Sequence, residues 1–207
     1  MIYGTKNWKD SSIRYLQTTA IIERFLKDLK ISKKIDFWLE SCNVSSACTT
    51  VESVGGEWKV RLPQLYNKNI ISQKDIMFDF LYSDLGGKWK ADGICENEVA
   101  ENLVYAVNNL STAKAVLCKF DNSNKAVSSM IESLKNKKGC VCSYTTIYNT
   151  GHYISIVAYD SDTDEFIIYN SWPEDSINKN NGIQERISSS FLKEKLRYNQ
   201  YIEISGE

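Results

Sequence analysis

The 207 residues carry 25 Lys and Arg against 26 Asp and Glu, a formal net charge of -1, with 43% hydrophobic and 25% charged residues. That balance is ordinary for a globular chain, long enough for one well-buried domain over 1–207 and short for two. It supplies no basic run for nucleic acid, and no stretch approaches the ~18 apolar residues that span a bilayer.

The first ten residues are polar and lack the apolar core of a secretory signal, so the expected place of synthesis is cytoplasmic. Ile22, Phe25, Leu26 and Leu29 then recur at helical spacing and predict a helix over 12–30. A second helix starts at Cys42, with Val44, Ala47, Cys48 and Val51 at the same spacing and Gly55-Gly56 as its stop. Its Ser, Thr, Asn and Val content makes it a poor intrinsic helix former, so close tertiary packing has to hold it. Met77, Phe80 and Leu81 mark a short helical segment, and Asp84 to Gly93 reads as a loop. Val99, Leu103, Ala106, Val107 and Leu110 predict a helix from about Glu96 to Asn109. Ala115–Phe120 reads as a strand, and Val127, Met130, Ile131 and Leu134 predict a helix over about 124–136.

After Lys138-Gly139 the period changes from helical to extended. Cys140–Tyr148, His152–Tyr159 and Phe166–Tyr169 read as strands, joined in part by a hairpin turn at Ser161-Asp162-Thr163-Asp164, and Tyr201–Ile204 as a further one. Within the second of these, Ile154, Ile156 and Ala158 are expected on one inward face. Helices first and antiparallel strands later predict an α+β fold.

Chemistry enters through a thiol, an imidazole and a carboxamide. Cys42 opens a helix, where unpaired N–H groups and the positive end of the macrodipole favour a thiolate. His152, the only histidine, stands at a loop–strand junction and is expected at the mouth of the sheet. Asn170 lies where a hairpin partner strand comes beside it. Its carboxamide oxygen can accept the proton of one ring nitrogen and leave the other to face a thiol. Trp172 either covers that hydrogen bond from water or is a plain core residue. The six cysteines include no Cys-x-x-Cys pair, and one histidine is too few for a zinc site, so no metal and no cofactor are expected. Five of the six read as buried, reduced thiols, with Cys140 and Cys142 on one strand face.

In order and spacing, Cys42-Asn43-Val44-Ser45-Ser46-Ala47, Lys138-Gly139-Cys140-Val141, Gly151-His152-Tyr153 and Asn170-Ser171-Trp172-Pro173 resemble the papain-like cysteine peptidases. Within them they look like the bacteriocin-processing-peptidase-like branch, many of whose members are phage or bacterial cell-wall proteins. The resemblance spans roughly 36–200. It implies a helical part packed on an antiparallel sheet, with Cys42, His152 and Asn170 as nucleophile, base and orienter in the cleft between. Ser45-Ser46 stands where Thr-Ser is usual, and Asn170 where this branch mostly has Asp, although papain itself reads Asn-Ser-Trp. The branch commonly takes its oxyanion donor from a Gln about six residues before the cysteine, and here that position is Asp36. A carboxylate cannot donate to an oxyanion. The backbone N–H of Cys42 remains, and Asn43, Ser41 and Trp38 are the nearby candidates for a second donor.

The resemblance thus implies a cysteine peptidase or amidase working through a thioacyl-enzyme, with a peptide or peptidoglycan substrate. On that reading a phage-type endolysin, made in the cytoplasm, acts on the cell wall after release. Two readings from other classes stand beside it: a catalytically silent binding module on the same fold, and a thiol acyl or amine transferase using the same three residues.

Overall fold

The period-two runs of the second half pair into a seven-stranded antiparallel sheet. The computed structural model describes residues 1–9, 42–57, 96–170 and 184–207. The helix expected over 12–30, the segment around 77–81 and the loop at 84–93 lie outside the described residues. In chain order the elements are β1 (Ile2–Gly4), α1 (Cys42–Ser53), α2 (Glu96–Leu110), β2 (Lys114–Lys119), α3 (Ser123–Lys135), β3 (Gly139–Thr145) and β4 (Gly151–Asp160). They continue with β5 (Glu165–Tyr169), β6 (Glu185–Ser188), α4 (Ser189–Lys195) and β7 (Gln200–Ser205). The strand order is β2-β7-β3-β4-β5-β6, and β1 pairs with the far half of β4, beyond the end of β3. Mixed helices on such a sheet make an α+β fold of papain-like type, as expected. No helix among the described residues is long and apolar enough to cross a membrane.

Helices cover the sheet on both faces. On one, Ala126, Val127, Met130 and Leu134 of α3 and Leu192 of α4 meet Cys140, Cys142, Tyr144, Ile154, Ile156, Phe166 and Ile168. The shared cluster places Cys140 and Cys142 on one strand face. On the other face, Ala47, Val51 and Val54 of α1 and Leu103 and Val107 of α2 meet Val141, Tyr153, Ile202 and Ile204. β4 is therefore buried on both sides.

A register shift on the β5 side between Ile156 and Ala158 interrupts that alternation. Beyond it, Ala158 joins Val157, Ile167 and Tyr169 in a separate cluster, so it does not share the face of Ile154 and Ile156 as the simple period predicts. A bulge puts one extra residue into a strand and reverses the facing of everything after it. The strand expected to continue to Tyr148 ends at Thr145. The Thr146 hydroxyl accepts from the N–H groups of Tyr148 and Thr150, and Asn149 takes a φ of 59°, so these residues form a tight loop instead.

The helix that opens at Cys42 is seated by polar contacts as well as apolar ones. Thr50 Oγ1 lies 2.6 Å from Ser155 Oγ on β4 and donates to Ser46 O at 2.8 Å. Its last turn closes as a Schellman motif, with Gly55 N–H donating to Glu52 O, Gly56 N–H donating to Val51 O, and Gly55 at a φ of 84°. Gly139 lets the helix lie this close: a Cβ there would stand 2.5 Å from Thr50 Cγ2 and 3.2 Å from Thr5 Cγ2. Thr50 is held in place by its two hydroxyl contacts. Gly139→Ala should therefore cost about 1–3 kcal/mol, as overpacking does, read as a lower denaturant midpoint with unchanged slope.

Just beyond the carboxyl end of β4, the Ser189 hydroxyl donates to Asp164 at 2.6 Å and the Tyr159 hydroxyl donates to it at 2.7 Å. These hold the Asp164 carboxyl below the ordinary range, Ser189 contributing most. A carboxyl depressed by folding adds stability above its unfolded pKa and loses it as pH falls through the folded one. Ser189→Ala should lower stability near about pH 6 and lose most of that effect near about pH 2, checked by unfolding at both.

Candidate active site

His152 is the second residue of β4, and register pairs it with Tyr144 on β3. Its ring stands edge-on to the Tyr144 ring, with centroids 5.7 Å apart at 80°. Asn170 follows directly on β5. The register pairing Ser155 with Tyr169 puts Asn170 level with Ile154, one step from His152 on the same face. His152 Nε2 and Asn170 Oδ1 are 2.7 Å apart, and both residues are buried, at 1% and 0% exposure. An amide oxygen can only accept, so the Nε2 position carries the proton. Any exchange of a proton with a thiol then falls to Nδ1.

The imidazole thus stands at the end of its strand, as expected, and is buried there. Strand alternation turns it towards the α3–α4 layer, where the Tyr144 ring covers one side. That tyrosine was not singled out from the sequence. Its signal is available only by counting back across the 146–150 loop once the hairpin register is known.

Cys42 is the first residue of α1. The helix lies along β4, pinned where Thr50 meets Ser155, and its carboxyl end reaches Gly139, level with the far half of that strand. It therefore runs in the direction of β4, amino end towards His152. Eight residues of helix from Thr50 back to Cys42 span about 12 Å, and three residues of strand from Ser155 back to His152 about 10 Å. The first turn of α1 consequently sits at the level of His152. Because α1 covers the face of Tyr153 and Ser155, whereas His152 faces the other layer, the route between them passes around the strand's end. No acidic side chain occupies the first turn of α1 to neutralise the positive end of its dipole.

The side chains of Cys42 and Asn43 lie outside the described residues, as do Asp36, Trp38, Ser41 and Trp172, so the carbonyl-binding side of the cleft stays an expectation from sequence. Among the described residues no three His, Cys, Asp or Glu side chains gather as a metal site would.

Three free thiols serve as a contrast. Cys140 and Cys142 are buried in β3, and burial pushes both well up from the ordinary thiol range. Cys118 is only half-buried, where full burial was expected, because β2 is an edge strand. Burial and then the Glu203 carboxylate raise it as well. A raised thiol is held in its inert protonated form.

No curated protein matches the chain. The model of the Peptidase_C39 like family matches residues 26–205, an interval that includes α1, His152 and Asn170 together with the whole sheet apart from β1. With the order of motifs, the sheet and the buried His152–Asn170 pair in agreement, the chain belongs to the Peptidase_C39 like family, within the papain-like cysteine peptidase superfamily.

Proposed function

We propose that the protein is a cysteine peptidase or amidase in which Cys42 is the nucleophile, His152 the base and Asn170 its orienter. The single observation that supports this most is the 2.7 Å contact between His152 Nε2 and Asn170 Oδ1. It fixes one tautomer of the chain's only imidazole, at the strand end level with the helix that Cys42 opens. On this reading the field of the α1 terminus favours the Cys42 thiolate, which attacks the substrate carbonyl. The tetrahedral oxyanion takes the Cys42 N–H and a second donor from among Asn43, Ser41 and Trp38. The imidazolium returns its proton to the leaving amine, a thioester forms, and His152 then activates water to release the acid.

The substrate proposed is a peptide or amide bond of peptidoglycan, cut by an enzyme of endolysin type. Its support is the likeness of the Cys-Asn-Val, Gly-His and Asn-Ser-Trp-Pro motifs to the branch that includes phage and bacterial cell-wall proteins.

Cys42→Ala should fold normally and be inactive, and iodoacetamide at neutral pH should modify Cys42 ahead of Cys140 and Cys142. His152→Ala should lower kcat by roughly 10²–10⁴-fold, the span that general acid–base catalysis supplies. Asn170→Ala should cost less, with KM little changed, because the orienter moves no proton. Preferential labelling of Cys140 or Cys142 would overturn the assignment of the nucleophile.

For the substrate, purified sacculi should release new amino groups with the wild type and none with Cys42→Ala. Cleavage of unfolded protein with no action on sacculi would remove the wall substrate and leave the cysteine chemistry. Failure to form an acyl-enzyme with any thioester-forming probe would instead favour the silent binding module.

A further inference from the structure

A buried carboxylate stands on the same face of the sheet as the His152–Asn170 pair, and the mechanism above gives it no part. Glu185 opens β6 and is 2% exposed. Register sets it directly opposite Ile168 of β5, and Ile187, two residues on, packs with Phe166 in the α3–α4 layer. Alternation therefore turns Glu185 to the face that carries Ile168, Asn170, Ile154 and His152. Asn170 lies two residues beyond Ile168. That makes it a diagonal cross-strand neighbour of Glu185, with Cβ atoms roughly 7 Å apart. The three residues thus form an oblique row across β4, β5 and β6, imidazole, carboxamide, carboxylate.

We infer that Glu185 tunes the electrostatics of this site. Its carboxylate acts on the ring through space, from one strand beyond Asn170, so that the imidazolium is favoured over neutral imidazole. This rests on the reading of His152 as the base. The physical ground is that a negative charge on the same buried face stabilises a developing imidazolium where little water screens it.

Among the described residues, the other charged groups on this face are engaged elsewhere: Glu203 pairs with Lys138 at 2.7 Å and accepts from Ser133, and Asp164 accepts from Ser189 and Tyr159. Cys140 and Cys142 are kept as thiols by burial, and burial, with the neighbouring Asp164, pushes the Tyr159 hydroxyl up to about 12. Tyr144 presents its ring edge, and α3 presents Ala126, Val127, Met130 and Leu134. On α4, Lys195 and Glu194 pair with each other at 2.8 Å at the surface, and Lys193 lies in the same basic last turn.

The chain has one histidine, so its imidazole resonance is identified without assignment. In the Cys42→Ala protein the ring titrates without a coupled thiol, and its midpoint can be followed by NMR. Glu185→Gln, which keeps shape and removes charge, should lower that midpoint by about one pH unit. Adding Asn170→Asp to Glu185→Gln should raise it again, since a charge is restored one strand nearer the ring. A purely structural role for Glu185 would give neither the fall nor the recovery. In the enzyme with Cys42 intact, Glu185→Gln should lower kcat with KM little changed. An unmoved midpoint in folded Glu185→Gln protein would overturn the inference. If that variant does not fold, Glu185→Asp decides it, a lowered midpoint supporting the coupling and an unmoved one overturning it. Activity surviving Cys42→Ala would count against the cysteine chemistry itself, and the titration would still judge Glu185 separately.

Discussion

The site depends on how closely α1 sits on the sheet, and at what height. Apolar contact alone is non-directional and lets a helix slide along a sheet at modest cost. Here the Thr50–Ser155 hydroxyl pair at 2.6 Å and the missing Cβ of Gly139 define one seat. A slide of one turn would move the first residue of α1 about 5.4 Å along β4 and leave both buried hydroxyls to find new partners. The polar residues that make this helix a weak former in isolation are the ones that fix its position. Its propensity and its placement are two consequences of the same Ser and Thr content.

A second constraint is the facing of β4. His152, Ile154 and Ile156 share one side, and the shift after Ile156 lets Tyr159 return to that side while Val157 and Ala158 take the other. A slip of one residue before the bulge would send His152 to the face of α1 and part it from Asn170. The bulge therefore lets the strand satisfy two different layers along its length, with the His152 end on the uninterrupted half. The 146–150 loop protects that register. Its Thr146 hydroxyl bonds and the left-handed Asn149 set the loop length, and with it the pairing of Tyr144 with His152.

Elements with a sustained period were legible from the chain itself. α1, α2 and α3 begin and end close to where spacing and glycines put them, and β2, β4, β5 and β7 differ only at their ends. What escaped was short or dependent on distant partners. β1 has three residues and exists only because β4 outlasts β3. β6 is four residues long, and its Glu185 at a buried position breaks the apolar alternation by which strands are found. α4 could have been found from its cap, since Ser188 accepts from Phe191 N–H and Lys193 and Lys195 fill the last turn. The bulge was not legible, because no residue at 156–158 demands one. Of the site, the pairing of His152 with Asn170 was readable from hairpin geometry, whereas burial of the ring required knowing that Tyr144 lies opposite.

An asparagine at 170 changes the electrostatics the site works with. Where the branch it resembles mostly has Asp, a carboxylate touches the imidazole and favours its protonated form directly. Asn170 gives the same hydrogen-bond geometry with no charge, so orientation and electrostatic stabilisation become separable. On the inference drawn for Glu185, a charge is supplied from one strand further, and its pull on the ring is weaker for the distance. In the proposed mechanism a weaker pull would leave the imidazole a poorer proton trap and a readier donor to the leaving amine. It would also leave more of a Cys42 thiolate's stabilisation to the amino end of α1, whose first turn carries no acidic residue. The seat of that helix on Ser155 and Gly139 then bears on the thiol's ionisation as much as on its position.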